Sequence, residues 1–433
     1  MPLLDTDHAL TQNSYYTATA PRAERHAPLA GDADCDVAVV GGGLAGLSAA
    51  LALAERGFDV RLLEARQIGF GASGRNGGQA IHGLACDNDV IEGQLGLADA
   101  RRVWDMSIEA LDGLRGRIAR HAIGCEWQDG FLGVATNARK GRALAAWADR
   151  IEQVYQYPLQ RIAPGDMRGW IDSPRFHSGI HDPRSGHLHP LKYTLGLARA
   201  AAEAGVRVHE GSAVQAIEHG TPATLHTAGG RLRARQVLLA GNVYLAGLAP
   251  ALAPRIMPVG TYIACSRAMD PARALALIPS RAAVCDTNFV LDYFRPTADH
   301  RLLYGGRVSY STVTPAGLAA SMRRRMLASF PQLADVPVEY AWGGFVDITL
   351  NRAPDFGRLA DAPNVYYLQG FSGHGLALTG LAGTLVAEAI AGDAERFDVF
   401  ARLRHRAFPG GPRLRTPALV LGMAWYRLRD LLG

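Results

Sequence analysis

The sequence lacks the features that would mark a secreted, membrane-spanning or nucleic-acid-binding protein. Cysteine is sparse: Cys35, Cys86, Cys125, Cys265 and Cys285 are an odd five, with no CxxC pair. Such cysteines offer neither a disulfide framework nor a zinc cage, and they suit a reducing compartment. No apolar run reaches the roughly 20 residues of a membrane span before Gly, Pro or a charge interrupts it. The N-terminus has no basic segment followed by an apolar run, so no signal peptide is expected and a cytoplasmic location is. Charge is thin: the net value is +5, arginine dominates over lysine, and the arginine run at 323–325 is short. That run reads as a solvated helix face, and no nucleic-acid partner is expected. Internal repeats and low-complexity linkers are also missing. What is there is ordinary globular material, 48% hydrophobic and 20% charged over 433 residues, long enough for about two domains.

Residues 1–34 are polar and mixed, and an arm lying over the body is expected. DVAVVG (36–41) is a short apolar run ending in glycine, the pattern of a buried parallel strand. GLAGLSAALALAERG (43–57) has Ala and Leu at helical spacing and closes on Gly57, and FDVRLLEA (58–65) is again strand-like. Together they form one βαβ unit. Helices are expected over 93–122, 140–155 and 191–205, and hairpin strands over 206–242. Strand-like runs dominate 255–312. VYYLQG (365–370) then reads as a strand and 373–392 as a long helix of small residues. Dinucleotide-type elements thus stand at the start, the middle and near the end. The fold class implied is α/β, with a discontinuous Rossmann-like domain and a second domain built from insertions.

The strongest local signal is Gly41-x-Gly43-x-x-Gly46, directly after a strand and opening a helix. The first glycine allows the tight turn, the second admits a pyrophosphate, and the third lets the helix sit close to the strand. Helix N–H groups and the helix dipole then face the phosphates. Glu64 ends the second strand, where a carboxylate accepts from ribose hydroxyls and repels a 2′-phosphate. The fingerprint alone fits NAD or FAD. Two further features favour FAD. The loop GASGRNGGQ offers backbone donors around Gly77, with Ser73, Arg75 and Asn76, to a pyrophosphate or a flavin ring. GFSGHGLALTG (370–380) is a second glycine-rich strand-to-helix junction. Its N–H groups at Gly373, His374, Gly375 and Leu376 suit the flavin edge where negative charge develops on reduction. His374 either touches flavin or substrate through its ring or presents only its backbone, and the flanking glycines favour the backbone.

GGGLAGLSAA, GASGRNGGQ and GFSGHGLALTG together resemble the FAD motifs of the D-amino-acid oxidase superfamily, which includes sarcosine and glycine oxidases. The likeness spans residues 14–400. SYYTATA (14–20) and YFRPTADHRLLYGGR (293–307) are most similar to the bacterial gamma-glutamylputrescine oxidase branch. The resemblance implies a second, α+β domain whose large antiparallel sheet covers the flavin. It implies an adenine contact at Val214 and oxidation of an amine C–N bond to an imine, with oxygen reoxidising the flavin to give hydrogen peroxide. Some relatives attach FAD through a cysteine shortly before the last FAD motif. DITLNRAPDFG (347–357) has none, so non-covalent FAD is expected. The expected division is 30–90, 175–245 and 345–400 for the FAD domain, and 91–174 and 246–344 for the substrate domain. Residues 1–29 form the arm and 401–433 an amphipathic tail, expected to settle on its own domain.

Flavin carries the difficult chemistry, so the protein has mainly to place the substrate carbon and exclude water. Polar residues on the inner face of the antiparallel sheet are the candidate positioners of a small amine: Tyr262, Tyr293, Arg295, Arg307 and Trp342, with His374 beside them. Arginine binds a carboxylate bidentately and aromatics line an amine channel. Each of the five is equally a residue type that covers sheet faces structurally. His82 borders the pocket or serves the structure, and His181, His187 and His189 lack the spacing of a metal site. An amine dehydrogenase feeding a quinone or carrier protein and a non-catalytic flavin module are the competing functions.

Overall fold

The computed structural model describes residues 2–22, 25–245, 247–288, 290–309 and 316–409. Two sheets face one another. In the first, the strand Ala33–Val40 is central, parallel to Val60–Leu63 on one side and to Gly230–Leu239 on the other. Ala362–Gln369 and Arg207–His209 extend it in parallel, and Asp355–Leu359 closes one edge antiparallel. Val37, Ala38 and Val39 are all fully buried, which explains an apolar run without alternation: both faces are covered.

The covering helices are made of small residues for a geometric reason. Gly375–Ile390 crosses Leu44–Ala54 so closely that a Cβ on Gly383 would lie 2.5 Å from the Ala49 nitrogen. Only glycine permits that backbone contact. Leu97–Arg120 packs on the outside of Gly375–Ile390 and buries Ala100, Val103, Met106 and Leu111 in the same core.

The second sheet runs in the order Val338–Thr349, Ile256–Ser266, Leu302–Ser309, Tyr293–Pro296, Ala283–Asp286, Gln128–Ala135, Ser178–His187 and Gln79–Ala80. It is antiparallel except where Ala283–Asp286 meets Gln128–Ala135. Its outer face is sealed by Leu318–Ser329, whose Met322 and Met326 are buried with Phe294, Tyr304 and Phe330.

The segment boundaries differ from the sequence expectation at two places. Ser178–His187 lies within 175–245 yet pairs wholly in the second sheet, through Gln128↔His187 and onward. Leu97–Arg120 lies within 91–174 yet belongs to the core of the first. Both follow from non-local pairing. Antiparallel partners and helix docking are set by tertiary contact, and sequence order does not carry them.

Residues 2–22 include the helices Pro2–Ala9 and Tyr15–Thr19, the first against the strand Val338–Thr349 and the second against the helix Pro190–Glu203. Gly343 N–H donates to the Leu10 carbonyl, and the Tyr16 hydroxyl donates to the Asn76 carbonyl. Most of the 401–433 tail, including 414–433, lies outside the described residues. Among the described residues no single helix is long and apolar enough to cross a membrane, and no cluster of three His, Cys, Asp or Glu is disposed to hold a metal. His187 bonds the Arg281 carbonyl, while the rings of His181 and His189 lie against Trp170 and Tyr16.

Candidate functional site

Between the two sheets runs one continuous cavity of about 740 Å³. At one end is the first glycine junction. Gly41 has φ +116°, and a Cβ there would lie 2.6 Å from the Ala240 carbonyl oxygen. A Cβ on Gly46 would lie 2.0 Å from the Gly41 carbonyl oxygen, so the helix Leu44–Ala54 rests directly on the turn. Gly43, ahead of that helix, lines the cavity, and a Cβ on it would enter the space beside Ser73. Glu64 turns its carboxylate back on the turn: Oε2 accepts from Gly42 N–H at 2.7 Å and Oε1 from Arg66 N–H at 2.8 Å. Each oxygen keeps a lone pair for a ribose hydroxyl. Burial raises its pKa, with the two backbone donors opposing. Val214, in the core beside Leu63 and Leu245, lines the same end.

The loop 71–79 is braced more than it is free. Ser73 Oγ accepts from Leu44 N–H at 2.9 Å, capping the fingerprint helix from outside. Asn76 spends its amide on its own loop, donating to the Ala72 and Ser73 carbonyls and accepting from Gly78 N–H. Arg75 pairs with Asp7 at 2.7 Å and lies 4.5 Å over the Phe70 ring. All three line the cavity together with Gly77, but the charged head of Arg75 is turned to the N-terminal arm.

At the other end is the second junction. Gly370, Ser372 and Gly373 have φ of +75°, +53° and +83°, a left-handed path that lifts the chain out of the strand and into the helix Gly375–Ile390. Ser372 is the costly member, since it carries a Cβ in a region that favours glycine. It is held by its own N–H on the Asp347 carbonyl at 3.0 Å and by its hydroxyl on Gly370 and Thr349. A Cβ on Gly373 would meet nothing within 4 Å, so its backbone is open to the cavity; Gly375 and Leu376 line it too, while the His374 N–H, expected at the cofactor, donates to the Phe371 carbonyl at 2.9 Å. His374 lines the cavity while its Nε2 lies 3.0 Å from the His82 carbonyl and 3.2 Å from that of Ile81. Nε2 therefore carries the proton and Nδ1 is the acceptor. Burial pulls this imidazole down to about 4, so it is neutral at pH 7.

The antiparallel sheet supplies the facing wall. Tyr293 lines the cavity with its ring wedged between two glycines: a Cβ on Gly77 would lie 2.6 Å from the ring, and one on Gly305 2.1 Å. Among the described residues its hydroxyl has no hydrogen-bond partner, and burial pushes its pKa upward. Gln79, Cys285, Val290, Leu291 and Phe345 stand beside it.

Three expected positioners lie elsewhere. Trp342 is 0% exposed, donates from Nε1 to the Arg75 carbonyl at 2.9 Å and meets the Tyr16 ring. Tyr262 is 1% exposed in the core behind the sheet, its ring over Gly343. Neither lines the cavity. Arg295 is buried, with Nε on the Gly77 carbonyl at 2.7 Å and Nη2 on the Tyr16 hydroxyl at 3.1 Å, so it braces the loop. The reason is strand alternation: adjacent side chains take opposite faces, and composition does not say which face is inner. Arg307 pairs with Tyr262 through its backbone, and its side chain lies outside the described residues. His82 bonds Asp182 at 2.7 Å away from the cavity.

Sequence reasoning passed over Asp347, Arg352 and Thr349, all of which line the flavin end. The signal for Asp347 was present: one charge inside the apolar run GGFVDITL. Its carboxylate accepts from Gly370 N–H at 2.5 Å, and desolvation pushes its pKa up to about 7.

These residues fit FAD. Two glycine-lined helix N-termini, a backbone cradle that a Cβ would fill, and a ribose-directed carboxylate lie along one cavity. The attachment is non-covalent: the 347–357 segment has no cysteine, and the cavity-lining Cys285 keeps its proton, donating to Gln79 Oε1.

Residues 36–389 match a family described as FAD dependent oxidoreductase. The chain is 44% identical over 429 residues to "Gamma-glutamylputrescine oxidoreductase" of Escherichia coli, covering 99% of this chain and 100% of that one. It is 38% identical to "Probable oxidoreductase OrdL" of Haemophilus influenzae, over 96% of this chain and 97% of the relative. Its fold is similar to that of glycine oxidase from Geobacillus kaustophilus, with a TM-score of 0.71 at 22% identity over 83% of this chain and 95% of that one. The chain belongs to the family of FAD-dependent oxidoreductases.

Proposed function

We propose that the enzyme oxidises the C–N bond of a small amine of the gamma-glutamylputrescine class to an imine, which water opens to an aldehyde. Oxygen is the proposed acceptor, hydrogen peroxide the second product, and the cytoplasm the location. The observation that carries the reading is the 44% identity, over the whole length of both chains, with a relative named for that substrate. In this reading the parallel sheet holds the cofactor, and the antiparallel sheet closes over it and selects the amine.

The backbone N–H of Gly43 would hold the pyrophosphate, Glu64 a ribose and Val214 the adenine. The N–H groups of Gly373, Gly375 and Leu376 would face the flavin edge that gains charge. Bound FAD supplies the acceptor for the hydride. The chain's own part is placement. Tyr293, kept protonated by burial and fixed by two glycines, offers its hydroxyl to the substrate nitrogen. Val290, Leu291 and Phe345 exclude water beside it. His374, pulled down to about 4, is too weak a base to strip an ammonium ion at neutral pH. The amine therefore arrives neutral, and kcat/KM climbs about tenfold per pH unit below the substrate's own pKa.

The test is an anaerobic screen of the yellow enzyme against gamma-glutamylputrescine, putrescine, sarcosine, glycine and D-alanine. Bleaching should be fastest with the first. D-alanine in first place would overturn the substrate class. Rapid dye reduction without peroxide in air would replace oxygen by a quinone or carrier acceptor, and a flavin that no amine bleaches would point to a non-catalytic role.

A further inference from the structure

The buried aspartates among the described residues are Asp7, Asp182, Asp286, Asp292, Asp347 and Asp355. Four lie against an arginine, and a fifth bonds a histidine ring. Asp7 lies 2.7 Å from Arg75, Asp182 2.7 Å from His82, and Asp355 3.5 Å from Arg255. Asp286 and Asp292 share Arg175, at 3.2 and 2.7 Å. Asp347 is the exception. It is 2% exposed, forms no ion pair among the described residues, and lines the cavity beside the second junction. A buried, unpaired carboxylate is costly, and the cost is relieved by binding a proton.

The position gives that proton a use. Asp347 accepts from Gly370 N–H, the first residue of the second junction, whose Gly373, Gly375 and Leu376 line the cavity. Reduction adds negative charge to this end of the cavity, and a like charge nearby raises a carboxyl pKa further. We propose that Asp347 is the proton store of the site: it takes one proton from solvent when the cofactor accepts a hydride and returns it on reoxidation. In the first step a substrate C–H bond breaks and its electron pair leaves with the hydrogen to FAD. In the second an O–H bond forms on the carboxylate with a proton from water, and no electrons change hands there.

The starting pKa of about 7 places the store in the physiological window, with burial as its main cause and Asp355 adding to it. The other groups facing the carboxyl are distinct. Asp355 is held by Arg255, with His405 beside it at 3.9 Å. Tyr367 is pushed up to about 12 and His374 down to about 4. Arg352 donates to the Ser372 carbonyl. On the opposite wall Cys285 and Tyr293 are pushed upward, and behind that wall Asp286, paired with Arg175, rises to about 6.

The test is a spectroelectrochemical titration of the holoenzyme with a chemical reductant from about pH 6 to about pH 9. It rests on the bound cofactor alone and stands whichever amine proves to be the substrate. One proton per two electrons changes the reduction constant about tenfold per pH unit, or about 30 mV, and two protons change it about a hundredfold. The wild type should steepen to about a hundredfold per unit above about pH 7. Asp347→Asn should keep about tenfold throughout that range. A wild-type slope of only about tenfold above pH 7 overturns the proposal, and that measurement needs no variant. A steep slope surviving in Asp347→Asn overturns it too, and moves the proton to another group such as Asp286.

Discussion

The two walls of the cavity are built on opposite logics. The wall from the parallel sheet presents backbone: Gly41, Gly43 and Gly373 face the cavity, and few side chains do chemistry there. The wall from the antiparallel sheet presents side chains, with Tyr293 seated on glycines that have no room for anything else. The contrast teaches where each kind of substitution acts. Changes in the first wall should remove the cofactor, and changes in the second should spare it and alter turnover.

Gly46→Val is the most severe way to test that contrast. Its first added carbon would overlap the Gly41 carbonyl at 2.0 Å, and backbone cannot step aside. The purified variant should be colourless, with no flavin absorbance after reconstitution, and a yellow variant would contradict the division of roles. Asp7→Asn comes next. Burial raises the pKa of Asp7 and lowers that of Arg75, so each charge depends on its partner. Removing one leaves the other buried and alone, at about 3–5 kcal/mol, read as a fall in the urea midpoint. Tyr293→Phe should keep a full complement of FAD and lose about tenfold in kcat/KM, about 1.4 kcal/mol for one hydrogen bond to the amine. Flavin loss in that variant would erase the distinction between the walls. Trp342→Phe should act least on turnover. It removes the bond to the Arg75 carbonyl and costs about 1 kcal/mol of stability, with KM unchanged.

The same division governs what could be read in advance. Gly41, Gly43, Gly46 and Glu64 were legible because strand, turn, helix and acid lie within one short stretch whose spacing is itself the geometry. Gly370 to Gly375 was legible for the same reason. Tyr262 and Trp342 were misplaced because alternation names two faces without saying which is inner, and Tyr293 was separated from them only by its glycines in space. The pairing of Ser178–His187 with Gln128–Ala135 was not legible, because the partners lie far apart in sequence. The isolation of Asp347 depends on where every cation in the molecule ends up, and no local pattern encodes that. Arg75 was placed at the cofactor because its loop is there, but Asp7, a residue from the arm, takes its charge.

The arm carries one last implication, for synthesis. Asn13 donates to the Glu339 carbonyl, a partner 326 positions later in the chain. Asp7 waits likewise for Arg75 and Tyr244. Residues 2–22 are thus made well before the partners they dock on, and until those arrive Leu4, Leu10 and two tyrosines travel unsheltered. A bulky tag fused ahead of residue 2 should slow maturation to the yellow holoenzyme, while the finished protein stays as stable as the untagged one.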